Sequence, residues 1–254
     1  MRLATFNILS GRSPGDDHVD PDAFAESVRR LDADVLGLQE VDRDQPRTQG
    51  LDLTAIAAEA MGAVEHRFLA ALSGTPGKVW AAATGDEPVG TPAYGVALLS
   101  RHPVRAWREV RLPPLTVPAP YRFPEQRVPH LVRDEQRVAL VADLDTPGGP
   151  LTVVTTHLSF LPWSNDRQLR LLMRELGGHD DATRLVLAGD LNMGRRRAER
   201  GTGLRPLATG KTWPAEAPVR QIDHLLARGD VRSSDGGPLR LPVSDHCALV
   251  AELA

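Results

Sequence analysis

The chain carries a single cysteine, Cys247, so no disulfide can form within it. That suits a reducing compartment. Aromatic residues make up only 4%, and no ladder of them is visible that could stack single-stranded bases. No stretch approaches the ~20 apolar residues needed to cross a bilayer. The opening run, residues 1–9, is short and closely followed by Gly11 and Arg12, which does not fit a secretion signal. Nor is there an excess of positive charge. The formal net charge is −3, so a polyanionic substrate would have to be met by a local basic surface or by a metal ion. These absences argue against a disulfide scaffold, a helical membrane protein and a generally basic nucleic-acid binder. The expectation they leave is a cytoplasmic monomer with no partner protein.

What is present is ordinary for a globular chain: 254 residues, 41% hydrophobic and 25% charged. A domain of that size buries about 70–75% of its unfolded surface and needs no staple. Short apolar runs predict strands at 2–9, 35–39 (ending at Glu40), 64–70, 94–100 and 104–111. Further strands are predicted at 137–144 and 151–157, on either side of the turn Thr146-Pro147-Gly148-Gly149, and at 184–188, 221–227 and 248–252. Asp20-Pro21 has the chemistry of a helix start, with Phe24, Val28 and Leu31 on one stripe. Two more helices are expected at 52–61 and 165–176. Stretches 73–93 and 112–136 have no period, which marks functional loops. No repeat or linker divides the chain, so a single domain over residues 1–254 is expected. Many strands with few helices suggest two packed sheets with helices outside.

Polar residues recur where these strands end: Asn7, Glu40, His157, then Asp190 and Asn192 in Gly189-Asp190-Leu191-Asn192. Ile222-Asp223-His224 and Ser244-Asp245-His246 follow. Strand ends gather on one rim of a sheet, where a site can form. Carboxylate and amide oxygens suit a hard cation, Mg²⁺ with Mn²⁺ as a substitute, whereas zinc would want clustered His and Cys. An Asp or His beside such an ion can deprotonate or orient a water, and a carboxylate can fix a histidine's tautomer. Together the parts describe attack of water on a phosphate ester. Taken singly, each has a plainer reading. Asn7 could form a turn, Glu40 could be a solvated strand end, His157 and His246 could be hydrogen-bonded core residues, and Asp223-His224 could lie at a strand edge. Trp213 reads as core packing and Cys247 as a small buried hydrophobe.

As an ordered set the segments resemble the endonuclease/exonuclease/phosphatase superfamily. They are Thr5-Phe6-Asn7, Leu38-Gln39-Glu40, Tyr94-Gly95, Leu99-Ser100-Arg101, Thr156-His157-Leu158, Gly189-Asp190-Leu191-Asn192, Ile222-Asp223 and Ser244-Asp245-His246. The resemblance runs across almost the whole chain and implies an α/β four-layer sandwich: two mixed β-sheets face to face, with helices on both outer faces. It implies Glu40 as the principal Mg²⁺ ligand, with Asn7 and Asp245 near the metal. Asp190 would position or activate water, Asn192 and His157 would hold the phosphate, and His246, oriented by Asp223, would act as base or charge stabiliser. Tyr94 would contact the phosphate, although Val96 stands where relatives often have Asn. Arg137 matches a phosphate-binding arginine of some relatives, against the plainer reading of an exposed strand-edge charge.

The substrate is not legible at this level, because loops rather than fold select it. Signatures typical of abasic-site endonucleases and of inositol-polyphosphate phosphatases are absent. Two basic clusters could meet a polyanion: Arg195-Arg196-Arg197 with Arg200, and Arg122, Arg127, His130 and Arg133. Arg195 and Arg196 are the candidate substrate contacts. Three functions remain open: a nuclease-type phosphodiesterase acting on nucleic acid, an enzyme for a small or lipid-linked phosphate ester, and an inactive binding module.

Overall fold

The computed structural model describes residues 1–15, 18–123, 126–177 and 183–254. Pro124 and Glu125, in the second unpatterned stretch, lie outside the described residues. The strands are β1 Arg2–Asn7, β2 Val35–Arg43, β3 Glu65–Gly74, β4 Trp80–Ala82, β5 Ala93–Ser100, β6 Val104–Leu112, β7 Ala119–Tyr121 and β8 His130–Val132. They continue with β9 Arg137–Thr146, β10 Gly149–His157, β11 Leu185–Asp190, β12 Arg205–Pro206, β13 Asp223–Arg228, β14 Ser233–Leu239 and β15 Ala248–Leu253. The helices are α1 Pro21–Leu31, α2 Leu53–Met61, α3 Pro162–Glu175 and α4 Arg195–Thr202. Among the described residues no helix is long and apolar enough to cross a membrane.

Local chemistry explains the helix ends. Asp20 accepts from the amides of Asp22 and Ala23 at 2.9 and 3.1 Å, with Pro21 at the first helical position. Asp52 caps α2 in the same way, and Gly62 closes it with a left-handed residue.

Thirteen of these strands form two mixed sheets, and β7 and β8 pair with each other. One has the order β14-β15-β1-β2-β5-β3-β4 and the other β12-β13-β11-β10-β9-β6. Leu3, Val35 and Leu98 of the first sheet meet Leu140, Val153, Val186 and Leu225 of the second in one core. On the first sheet's outer face, Phe24, Leu31 and Met61 of α1 and α2 cover Phe6, Leu36 and Leu38. On the second, Leu169, Leu172 and Ala198 of α3 and α4 cover Val141, Val154 and Leu187. The fold is therefore a four-layer α/β sandwich, helices outside and sheets inside.

Period two then dictates which polar residues face inward. Leu3 lies in the inter-sheet core and Phe6 under the helices, so Asn7, four residues after Leu3, faces inward at the end of β1. Counting in twos from Val153, Val186 and Leu225 likewise turns His157, Asp190 and Asp223 inward. Register aligns them: His157 lies opposite Asp190 on parallel strands, and Asp190 lies opposite Asp223 on antiparallel ones. Just below this row the sheets touch through polar groups. Thr5 donates to Gln39 at 3.2 Å, and Gln39 donates to Thr155 at 3.0 Å. Gly37 makes the approach feasible, since a Cβ there would lie 2.7 Å from the Thr155 hydroxyl.

Four expectations are revised. β2 does not end at Glu40 but runs to Arg43 through a bulge, with Glu40 at φ 57° and the register shifting between Gln39 and Val41. The 73–93 and 112–136 stretches contain short strands, β4 and the β7–β8 pair. The Arg195 cluster lies on helix α4 rather than in a loop, and β14 lies in a segment with no strand signal.

Candidate active site

The bulge at Glu40 has a chemical result. Val35, Gly37 and Gln39 face the other sheet, so strict alternation would send Glu40 toward the helices beside Leu36 and Leu38. The extra residue and left-handed backbone re-aim it instead, and its carboxylate accepts from Asn7 at 3.1 Å. Asn192 and Ser244 also adopt left-handed backbone, at φ 52° and 75°. Such outliers persist where the surroundings over-determine them, as at functional sites.

Asn7 joins the two sheets. Its amide also donates to Asp190 at 3.1 Å, while its own oxygen accepts from the Leu9 amide. Asp190 accepts in addition from the Asn192 amide at 2.8 Å. Ser244, which stands in the Ser244-Asp245-His246 motif but had been given no role of its own, ties the last strand's approach to the first. Its hydroxyl donates to the Asn7 carbonyl at 2.6 Å and accepts from the His246 amide at 3.0 Å.

Two histidines flank Asp190 in opposite states. His246 places Nδ1 2.9 Å from Asp223 and Nε2 3.9 Å from Asp190. Burial opposes its charge, but the Asp223 carboxylate, aided by Asp190 and Asp245, outweighs burial and raises it to about 10. His246 is thus an imidazolium at neutral pH. His157 lies 3.5 Å from Asp190, and its Nδ1 is 3.4 Å from an Arg137 guanidinium nitrogen. Burial and the Arg137 charge hold His157 well below the usual range, so it is neutral. Arg137 has no lone pair to offer, so Nδ1 is the acceptor and Nε2 carries the proton. That proton faces the Asp190 carboxylate. Asn192 lies 3.2 Å from Nε2 and anchors its own amide on the Leu158 carbonyl at 3.0 Å.

The carboxylates are pushed toward protonation. Asp190 rises to about 7, first through burial and then through the neighbouring Asp223 charge. Burial also raises Glu40, with Asp245 adding to it against the Asn7 hydrogen bond and His246. Asp245 accepts from the Trp213 indole at 3.0 Å and keeps its other oxygen 4.0 Å from His246. Asp190, Asp223 and His246 have ligand atoms within 4.8 Å of one another. Within this trio Asp223 is already engaged with His246 Nδ1, and Asp190 already accepts from Asn7 and Asn192. Glu40 has an oxygen beyond its bond to Asn7, and with Asp245 it offers hard carboxylate oxygens, beside Asn7, whose own oxygen accepts from the Leu9 amide. A divalent ion suits that set.

These groups open onto a cleft of about 390 Å³, lined by Glu40, Tyr94, Arg137, His157, Asp190, Asn192 and His246 with Tyr121, Phe160, Trp213, Arg220 and Ile222. Four of the eleven aromatic residues therefore meet at this site, although no aromatic pattern shows in the sequence. Tyr121 packs edge-on against Phe160 at 5.0 Å. Trp213 is half-buried against the cleft rather than part of the core. Tyr94 lies under the Arg47 guanidinium, 5.5 Å from its ring centre, and burial raises its hydroxyl well above the usual value. Arg137 is only 5% exposed, which overturns the reading as an exposed edge charge. Arg122, Arg127, His130 and Arg133 are exposed and do not line the cleft. Arg195 and Arg196 line a neighbouring groove instead.

A profile described as the Endonuclease/Exonuclease/phosphatase family matches residues 4–246. The chain belongs to that family of phosphoesterase hydrolases. An endonuclease/exonuclease/phosphatase from Beutenbergia cavernae is similar at 25% identity and TM-score 0.68, covering 100% of this chain and 71% of that one. The Bacteroides thetaiotaomicron mannosyl-6-phosphatase Bt3783 has the same fold at 16% identity and TM-score 0.67, covering 100% and 99%. Truncated Caenorhabditis elegans TDP2 does so at 15% identity and TM-score 0.59, covering 99% and 96%. No curated protein sequence matches the chain.

Proposed function

We propose that this protein is a divalent-cation-dependent phosphodiesterase of nuclease type, acting as one catalytic domain. The observation that carries the reading is the row in which Asn7 donates to Glu40 and Asp190 across the two sheets, with His157 3.5 Å from Asp190, beside an imidazolium held by Asp223. Glu40, Asn7 and Asp245 would hold Mg²⁺, or Mn²⁺ in its place. When bound, the ion supplies Lewis-acid stabilisation of charge on the phosphoryl oxygens. Asp190, raised toward neutrality, accepts the proton of the attacking water. His246 is already charged, so it stabilises the phosphoryl oxygens rather than acting as the base. Neutral His157 and Asn192 donate to the phosphate from the other side, and Arg137 and Tyr94 complete the cradle. The aromatic wall of Tyr121, Phe160 and Trp213 supports a substrate with a planar or apolar group next to its phosphate.

A second reading, hydrolysis of a small or lipid-linked phosphate ester, is favoured by the net charge of −3. Assays on DNA, RNA, phospholipids, inositol phosphates and sugar phosphates, with Mg²⁺ and with chelator, separate the two. Glu40→Ala and His246→Ala should each abolish turnover without unfolding the chain. Turnover that persists in chelator, or in both variants, overturns the proposal.

A further inference from the structure

Next to the cleft runs a shallow groove of about 510 Å³ in which five arginines meet: Arg195, Arg196, Arg197, Arg200 and Arg220. Two of them are already engaged. Arg195 pairs with Glu199 at 2.9 Å, and Arg197 is bound to Asp166 at 2.7 Å. Arg200 donates one nitrogen to the Arg196 carbonyl at 3.2 Å, which leaves its other two free. No carboxylate among the described residues pairs with Arg196, Arg200 or Arg220. Three guanidinium groups without counter-ions therefore share one concave surface, in a chain that is acidic as a whole.

Arg220 lies on the seam, because it lines both the groove and the cleft. Its backbone is fixed there by pairing with Trp213, at 3.0 Å in each direction. Ile222 lines the cleft and Asp223 holds His246, so the chain passes from groove to catalytic row in three residues. That spans at most about 10 Å.

We propose that Arg196, Arg200 and Arg220 form a second anion subsite, which takes a further phosphate carried by the same substrate on the groove side of the scissile one. The inference rests on the cleft being the phosphate-ester site and narrows its substrates to those with at least two phosphates. Guanidinium groups suit this task, since each offers forked donors to phosphate oxygens. The grouping also revises the sequence-level choice. Arg195 and Arg197 build the helix and its seat on α3, whereas Arg196, Arg200 and Arg220 face the ligand.

The test is calorimetric binding to the full chain with Mg²⁺ present, which does not depend on turnover. One arm compares thymidine 3′,5′-bisphosphate with thymidine 5′-monophosphate. The other compares fructose 1,6-bisphosphate with fructose 6-phosphate. In at least one arm the bisphosphate should bind about tenfold tighter or more, and Arg196→Ala/Arg200→Ala should remove that advantage. An advantage in the nucleoside arm alone assigns a nucleotide chain as the source of the second phosphate. An advantage in the sugar arm alone assigns a sugar phosphate. Equal affinities in both arms, or an advantage that survives the double substitution, overturns the subsite. The cleft's own reading fails separately, by absence of hydrolysis in the panel of phosphate esters. Both arginines lie on the surface of α4, so the variants should keep the parent's thermal transition.

Discussion

Asn7 and Asp190 are 183 residues apart in sequence and meet at 3.1 Å, one from each sheet. The same Asn7 amide serves Glu40, so one side chain fixes the spacing of two carboxylates. Asn7→Ala should lower kcat by about 10²–10³-fold, the usual loss for a positioned donor in an active site. It should also cost about 1–3 kcal/mol of stability by leaving buried acceptors unpaired. Steady-state kinetics and denaturant unfolding measure both. A variant with normal kcat would remove Asn7 from the mechanism.

The Asp223–His246 pair sets a pH signature. The folded state favours the imidazolium, so its stabilising contribution is full below the unfolded value of about 6.5. It is lost as pH rises through about 10. Asp190 acts in the same direction at lower pH. Its folded carboxyl keeps a proton up to about 7, so stability falls as pH rises toward that value from the ordinary carboxylate range. Melting temperature against pH, recorded in chelator, should show both limbs, and Asp223→Asn should flatten the alkaline one. In activity, Asp190 gives an acidic limb, moved to lower pH when a divalent ion is bound.

Glu40→Gln should abolish turnover and yet raise the melting temperature measured in chelator. The charge it removes is desolvated and sits beside Asp245. Each kcal/mol relieved corresponds to about 2–4 °C for a chain of this size. Added Mg²⁺ should stabilise the parent protein and leave the variant unmoved. A lower melting temperature for the variant in chelator would show that Glu40 is not strained by burial.

Arg137→Gln should act on His157 as well as on phosphate. Without the guanidinium, His157 loses the second cause of its low proton affinity and titrates nearer the usual range. NMR titration of the His157 ring reads this directly. A kcat/KM lower by about 10²-fold should accompany it. An unchanged His157 titration would mean that burial alone sets its state.

Much of the site was legible because strand alternation is legible. Once Leu3, Val153, Val186 and Leu225 are read as inward, Asn7, His157, Asp190 and Asp223 follow by counting in twos. Glu40 was found by motif but misplaced, since a bulge leaves no mark in composition. Helix α4 was missed because only Ala198 and Thr202 are buried, which is too little for an apolar stripe. Strand β14 reads Ser-Ser-Asp-Gly-Gly-Pro-Leu and exists through its pairing with β15, an interaction no local window contains. The aromatic wall comes from three distant segments, around Tyr121, Phe160 and Trp213, and only tertiary packing brings them together.

Strand β1 has β2 on one side and β15 on the other, with Thr5 opposite Leu249. A ribosome adding about 5–20 residues per second reaches β15 roughly 10–50 s after it has made β1. For that interval one edge of the first strand has no partner, and the loop carrying Asp245 and His246 does not yet exist. A nascent chain can therefore assemble much of its scaffold while still chemically inert. The closing of the first sheet and the completion of the catalytic row become one event.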